Sequence, residues 1–215
     1  MSLYPLFNMR VATPKLELRA ATDDLLEQLA PVVAAGHATA EPPPWDDPSS
    51  FYETDPDVRV QKWMQGIWRG RGTVTENRWR LHFVVIVDAQ PVGMQDLIGD
   101  QFNVFGTVES SSWLATNMRQ KGIGTEMRSA ILHLAFEGLG AKEAQSEAAL
   151  ENAGSNGISE RLGYERNGTS WATHQGRPVN GQRWLLQRTT WQASRRSDIA
   201  LTGIDECRSV LRISG

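Results

Sequence analysis

The chain predicts a mixed α/β sheet. Strand-like and helix-like runs alternate along most of its length, and three strands follow one another without a helix over residues 81–87, 92–98 and 107–115. The last of these strands leads through the turn Arg119-Gln120-Lys121-Gly122-Ile123-Gly124 into a long amphipathic helix.

After an irregular start to Pro14, Leu16-Glu17-Leu18-Arg19 alternates as a first strand. Thr22-Asp23-Asp24 then caps a helix carrying Leu25, Leu29, Val32 and Val33 on one side, which Gly36 ends. The prolines and carboxylates of Glu41-Pro-Pro-Pro-Trp-Asp-Asp-Pro exclude regular structure and give a long surface loop. Asp55-Pro56 starts a second helix, with Val60, Trp63, Met64, Ile67 and Trp68 at helical spacing, fading at Gly70 to Gly72. Residues 81–87 are apolar on both alternating faces, as a central strand requires, and Asp88-Ala89-Gln90-Pro91 turns the chain into its partner, 92–98. Ile123, Met127, Ile131, Leu134 and Ala135 form one stripe of a helix running to about Leu139, stopped by Gly138 and Gly140. Residues 141–149 read as another strand, Asn152 caps a short helix ending at Leu162-Gly163, and the chain to Trp191 reads as a hairpin turning within 176–181.

With 215 residues and 40% hydrophobic content the chain can bury a sizeable core, and we expect one domain over 1–215, its core about 16–191 and 192–215 a packing arm, with a short helix or arm from Ser194. A net charge of -3 offers no bulk attraction for nucleic acid or anionic membrane. The single cysteine, Cys207, excludes an internal disulfide and a Cys-based metal cluster, and fits a small apolar filler in a reducing compartment. No apolar run approaches about 18 residues and the start lacks a signal pattern, so the expectation is a soluble, cytoplasmic protein. His37, His82, His133 and His174 are scattered without metal-ligand spacing, and no Gly-x-Ser-x-Gly elbow marks a hydrolase.

The turn at 119–124 admits two readings. Alternate glycines let the backbone curl so that N–H groups and the helix dipole converge on an anion such as a pyrophosphate, with Arg119 and Lys121 adding charge beside it. Alternatively the glycines serve only close packing between strand and helix.

The element order, with Arg-x-x-Gly-x-Gly opening the third helix and Asn152-x-x-Ser155 about thirty residues on, resembles the GCN5-related N-acetyltransferase (GNAT) superfamily. Glu151-Asn152-Ala153-Gly154-Ser155 followed by Leu162-Gly163-Tyr164 is most similar to its ribosomal-protein N-terminal acetyltransferase branch. The similarity is carried by residues 81–164. It implies a mostly antiparallel central sheet flanked by about four helices, with a splayed strand pair that holds acetyl-CoA as acetyl donor. Arg119, Gln120, Lys121, Gly122, Ile123, Gly124 and Thr125 would wrap the pyrophosphate, and a bulge would splay residues 111–116 so that the pantetheine arm pairs with them. Trp113 and Leu114 would border the thioester, and Asn152 would bond the arm.

Direct acetyl transfer needs a neutral amine, whereas an alkyl amine has a pKa of about 10.4, so a base is required. The family's base, five residues before the capping Asn, corresponds to Glu147, with Glu109, Asp96 and His174 in reserve. The tyrosine that many relatives carry seven residues after that Asn is Ser159 here, and the resemblance assigns the proton donor for the CoA sulfur to Ser155. The acceptor would be a peptide N-terminus or a small cationic amine, drawn by Glu41, Trp45, Asp46, Asp47, Phe51, Tyr52, Glu53, Asp55 and Asp57, with Trp63, Trp68 and Trp79 lining the groove; alternatively the loop is only a solvated acidic one with Trp45 and Phe51 on the core, and the other tryptophans are core residues. Homodimers are common among such enzymes. The alternatives are a catalytically silent acyl-CoA-binding module and a nucleotide-binding protein that uses the same turn.

Overall fold

The computed structural model describes residues 3–36, 52–174 and 176–213, the side chain of His174 excepted. Its strands are β1 (Arg10–Ala12), β2 (Glu17–Ala20), β3 (Arg78–Val87), β4 (Gln90–Asp100), β5 (Thr107–Leu114), β6 (Glu143–Ala149), β7 (Glu165–His174), β8 (Arg177–Gln187) and β9 (Ala200–Thr202). They form one sheet in the order β7-β8-β6-β5-β4-β3-β2-β1-β9. Every neighbouring pair is antiparallel except β5 and β6. The predicted mixed, mostly antiparallel sheet is therefore present.

Two helices cover one face, α1 (Asp23–Ala35) and α2 (Pro56–Gly72). Asp55 caps α2 by accepting from the N–H groups of Asp57 at 2.9 Å and Val58 at 3.1 Å, as its position before Pro56 foretold. Leu26, Leu29 and Val33 of α1 meet Trp63 and Ile67 of α2 over Val84, Ile86 and Met94 of the sheet. The opposite face carries α4 (Ile123–His133), whose Met127, Ile131 and following Leu134 lie in the larger core with Leu18, Phe83, Leu97 and Val108. The helix predicted to reach Leu139 is α-helical only to His133 and closes with a wider π turn, Leu134–Gly138.

Four more helices are short or terminal: α3 (Phe102–Phe105), α5 (Ala153–Arg161), α6 (Arg188–Ala193) and α7 (Ile204–Val210). Among the described residues this makes seven helices rather than the four or so expected, because α3 and α6 are too brief to leave a periodic signal and α7 lies in the tail. The start of the chain is likewise not irregular: β1 pairs with both β2 and β9, and a three-residue strand shows no alternation to read. The tail carries the short helix α7 and packs as expected, with Ile199, Cys207 and Leu211 buried in the larger core. Burial pushes the Cys207 thiol up to about 12, so the native protein should not react with a thiol reagent until it unfolds. Trp191, expected in the last strand, lies in α6 and stacks on Phe136 with ring centroids 5.0 Å apart. Gly181, expected in the turn, pairs with Ala149 inside the sheet, and the hairpin turns at the start of the 176–181 window.

The β3–β4 turn is tighter than the four residues predicted. Asp88 and Ala89 both take positive φ, 49° and 61°, and Gln90 is already paired with Val87. An alanine in that conformation is strained, so Ala89→Gly should raise stability by roughly 0.5–1 kcal/mol after the entropy of the glycine is subtracted. A denaturant midpoint moving upward at constant slope would verify this.

Candidate functional site

The sheet opens into a fork between β5 and β6. The two strands pair only at Thr107↔Glu143, Val108↔Ala144 and Glu109↔Gln145. Beyond that point β5 continues along β4 to Gly93↔Leu114, and β6 continues along β8 to Ala149↔Gly181. A wedge therefore widens from Ser110 and Ser146 outward. The bulge expected in β5 is not there: the β4–β5 register is continuous, and the irregularity next to it falls in the β3–β4 ladder between Val85 and Ile86. Divergence of two well-paired strands achieves what a bulge would. The Ala115 N–H donates to Val92 O at 2.8 Å, so strand alternation turns the backbone groups of Leu114, Ser112 and Ser110 toward the wedge.

At the mouth of the wedge a 3₁₀ turn, Thr116–Met118, leads into the glycine turn. Gln120 and Gly122 both have positive φ, 59° and 80°. The first intrahelical bond of α4 is from Glu126 N–H to Gly122 O, so the N–H groups of Ile123, Gly124 and Thr125 project from the helix end. The two glycines have different duties. Gly122 supplies the left-handed backbone, with nothing near the place a Cβ would occupy, whereas a Cβ on Gly124 would lie 2.9 Å from Ile158 Cδ1 of α5. The packing reading of the turn therefore applies to Gly124, while Gly122 gives the turn its curl.

Of the two flanking cations, Arg119 is tied down. Arg119 Nε donates to Leu114 O at 3.4 Å, tying the turn to the end of β5, and burial lowers its pKa. Lys121 and Gln120 are exposed. Arg161 of α5 donates to Thr125 Oγ1 at 3.0 Å and binds α5 to the first turn of α4; it belongs to no recognisable motif. Asn152 is the cap of α5, its Oδ1 accepting from Ser155 N–H at 3.0 Å, and Ser155 is half-buried. Neighbouring Asn156 was invisible in sequence yet does more anchoring: its Nδ2 donates to Ala149 O and its Oδ1 accepts from Trp184 Nε1, each at 2.9 Å. Ser159, in the place of the usual tyrosine, is fully buried.

Alternation on β6 sends Ala144, Ser146 and Ala148 to the α4 side, leaving Glu147 on the side of α1 and α2. Glu147 is half-buried and accepts a hydrogen bond from Ser170 Oγ on β7. Glu109 lies on the same face at the root of the fork. Its carboxylate still reaches solvent, but surrounding protein and the Glu147 carboxylate push its pKa up, against Arg80 and Arg183. Asp96 is a different case. Burial alone would raise its pKa, but His82 and Arg80 hold it below the usual range, with Arg80 Nη2 at 2.7 Å and His82 Nδ1 at 3.2 Å. It is a structural ion-pair partner, and the His174 side chain lies outside the described residues.

Trp113 packs half-buried against the core beneath α1 and α2, on the same face as both glutamates. Leu114 turns its side chain into the opposite core, so only its backbone borders the wedge. Of the residues expected to receive an acceptor, Glu41, Trp45, Asp46, Asp47 and Phe51 lie outside the described residues. Glu53 pairs with Lys62 at 2.6 Å, Asp55 is spent on the helix cap, and Tyr52 and Asp57 lie beside them. Trp63 is buried between the helices, and Trp68 is 46% exposed with its Nε1 donating to Asp23 Oδ1 at 3.0 Å. Trp79 does not line this groove: it points to the opposite core, edge-on to Phe102, because it has odd parity on β3 while Val84 and Ile86 face α2. Among the described residues no cluster of three His, Cys, Asp or Glu could hold a metal, and no helix is long and apolar enough to cross a membrane.

A family model described as an acetyltransferase (GNAT) domain matches residues 15–165. Solved structures share the fold at low identity. A Mycobacterium smegmatis protein, RimJ, in complex with CoA-disulfide, superposes with a TM-score of 0.71 at 16% identity, covering 88% of this chain and 96% of that one. A candidate ribosomal-protein-serine acetyltransferase from Vibrio cholerae gives 0.63 at 19% identity, covering 83% and 97%. The spermidine/spermine N-acetyltransferase SpeG from Vibrio cholerae gives 0.60 at 16% identity, covering 84% and 98%.

Proposed function

Because the chain belongs to the acetyltransferase (GNAT) domain family, matched over residues 15–165, we propose that it moves the acetyl group of acetyl-CoA directly onto a primary amine. The observation that carries this reading is the fork between β5 and β6 with the N-terminus of α4 at its mouth. Backbone N–H groups of 122–125 suit a pyrophosphate, and a thin pantetheine arm suits the unpaired edge of β5 beyond Glu109. Arg119, Gln120, Lys121, Ile123 and Thr125 frame the first, and Trp113, the Leu114 backbone, Asn152 and Ser155 border the second.

Acetyl transfer forms a C–N bond and breaks the thioester C–S bond, so a proton leaves the amine and one is gained at sulfur. Glu147 takes the first, oriented by Ser170, while Glu109 beside it shares the proton-accepting face. Ser155 is the donor nearest to the role at sulfur, since its N–H is occupied by Asn152 and its hydroxyl is not required for the cap. The carboxylate pair also favours a cationic acceptor, and a peptide N-terminus or a small polyamine satisfies that. A cytoplasmic setting, where acetyl-CoA and reduced thiols coexist, fits the buried Cys207.

The test is incubation with acetyl-CoA and a panel of N-terminal peptides and polyamines while free thiol is measured; acceptor-dependent thiol release is expected. A second reading, an acyl-CoA-binding module without turnover, is favoured by one observation, the buried Ser159 where a tyrosine would stand. Tight CoA binding with no thiol release on any acceptor would select it.

The raised pKa of Glu109 has a measurable consequence. A carboxyl whose folded pKa exceeds its unfolded value binds more protons when folded, so stability falls as pH rises from the ordinary Glu range through the folded pKa. Glu109→Gln should therefore flatten that decline in a series of denaturation midpoints, with little difference from wild type at acidic pH.

A further inference from the structure

Beneath the fork, on the α4 side, lies a polar cluster that takes no part in the proposed acid–base chemistry. Arg128 of α4 is 4% exposed, yet it takes part in none of the ion pairs of the described residues. Its Nη1 donates to Ser146 Oγ at 2.8 Å, and its Nε has no acceptor. Ser110 and Tyr164 are buried around it; the Tyr164 hydroxyl lies against both Arg128 and Ser110 without a contact that meets hydrogen-bond geometry. A buried guanidinium without an anion is costly, and its place among Ser110, Ser146 and Tyr164 calls for a reason beyond packing. The place of the cluster explains the expense. Ser110 and Ser146 are the first residues on each strand after pairing ends, so the charge sits at the root of the wedge.

We propose that Arg128 is a positioning residue for the leaving group: with Ser110, Ser146 and Tyr164 it presents a fixed positive charge to the sulfur of CoA and favours its thiolate. This rests on the acetyl-CoA reading. The electron pair of the breaking C–S bond goes to sulfur, where the guanidinium stabilises it until a proton arrives. The charged groups facing the fork divide by side. Arg128 and the titratable Tyr164 lie on the α4 side; Glu109 and Glu147, partly countered by Arg80 and Arg183, lie on the other and oppose a thiolate. Arg119 and Lys121 stand outside at the mouth. Without Arg128 the carboxylates would dominate the field at sulfur.

The experiment is a pH titration of CoA bound to the protein, following the ultraviolet absorbance of the thiolate, for wild type, Arg128→Met and Arg128→Lys. The bound thiol of the wild type should ionise about one pH unit lower than that of Arg128→Met, with Arg128→Lys between them. Replacing a buried charge by an apolar group of similar size is often neutral for folding, and cooperative melting of Arg128→Met would establish that here. Should it not fold, Ser146→Ala, which removes the hydroxyl that holds the guanidinium, should move the thiol pKa upward as well. A purely structural Arg128 predicts altered melting with the same thiol ionisation in every variant that binds CoA, and that result would overturn the proposal. Failure of the wild type to bind CoA would overturn the acetyl-CoA reading and this inference with it.

Discussion

Gly124→Trp should lower CoA affinity by at least about 100-fold, which is about 2.7 kcal/mol. The side chain at this position leaves the helix toward α5, where even a Cβ comes within 2.9 Å of Ile158 Cδ1. An indole must therefore displace α5 from α4 or swing across the N–H groups of Ile123 and Thr125; the first deforms the helix end that would hold the pyrophosphate and the second covers it. Gly124→Ala is the control. Its methyl meets only the flexible end of one isoleucine, so affinity should stay within a few-fold of wild type. Calorimetric titration with CoA reads both, and undiminished binding by the tryptophan variant would remove the turn from the site.

Glu147→Gln should reduce turnover by about 100-fold or more, the usual scale for loss of a general base, while CoA affinity changes little. The amide keeps the size of the carboxylate and still accepts from Ser170 Oγ, so geometry is preserved and basicity is lost. The pH profile separates the two carboxylates. If Glu109 is the operative base, Glu109→Gln will show the large loss and Glu147→Gln a modest one, since removing Glu147 relieves the repulsion that pushes Glu109 upward. Rates unchanged across the pH range in Glu147→Gln would exclude it from proton transfer.

Long periodic elements were legible in the sequence because their burial is one-sided. The stripe of Ile123, Met127, Ile131, Leu134 and Ala135 is buried as read, and the Asp55-Pro56 helix start caps α2. Three-residue strands such as β1 and β9 have too few alternations to register, and their pairing depends on residues nearly two hundred positions apart. The glycine turn was located correctly, but the division of labour between Gly122 and Gly124 depends on α5, whose placement no local pattern encodes. The same limit applies to Trp79. Helical neighbours suggested a groove of tryptophans, whereas strand parity sends Trp79 to the other core. Arg128, Asn156 and Arg161 were missed for one reason: each matters through a contact made across elements, with Ser146, Trp184 and Thr125 respectively.

A structure of the protein with CoA would show where the cofactor sits. The pyrophosphate is expected against the N–H groups of residues 122–125 and the sulfur inside the wedge between β5 and β6, with Glu147 on one side and Arg128 on the other. CoA seated on any other surface, with the wedge empty, would contradict this placement.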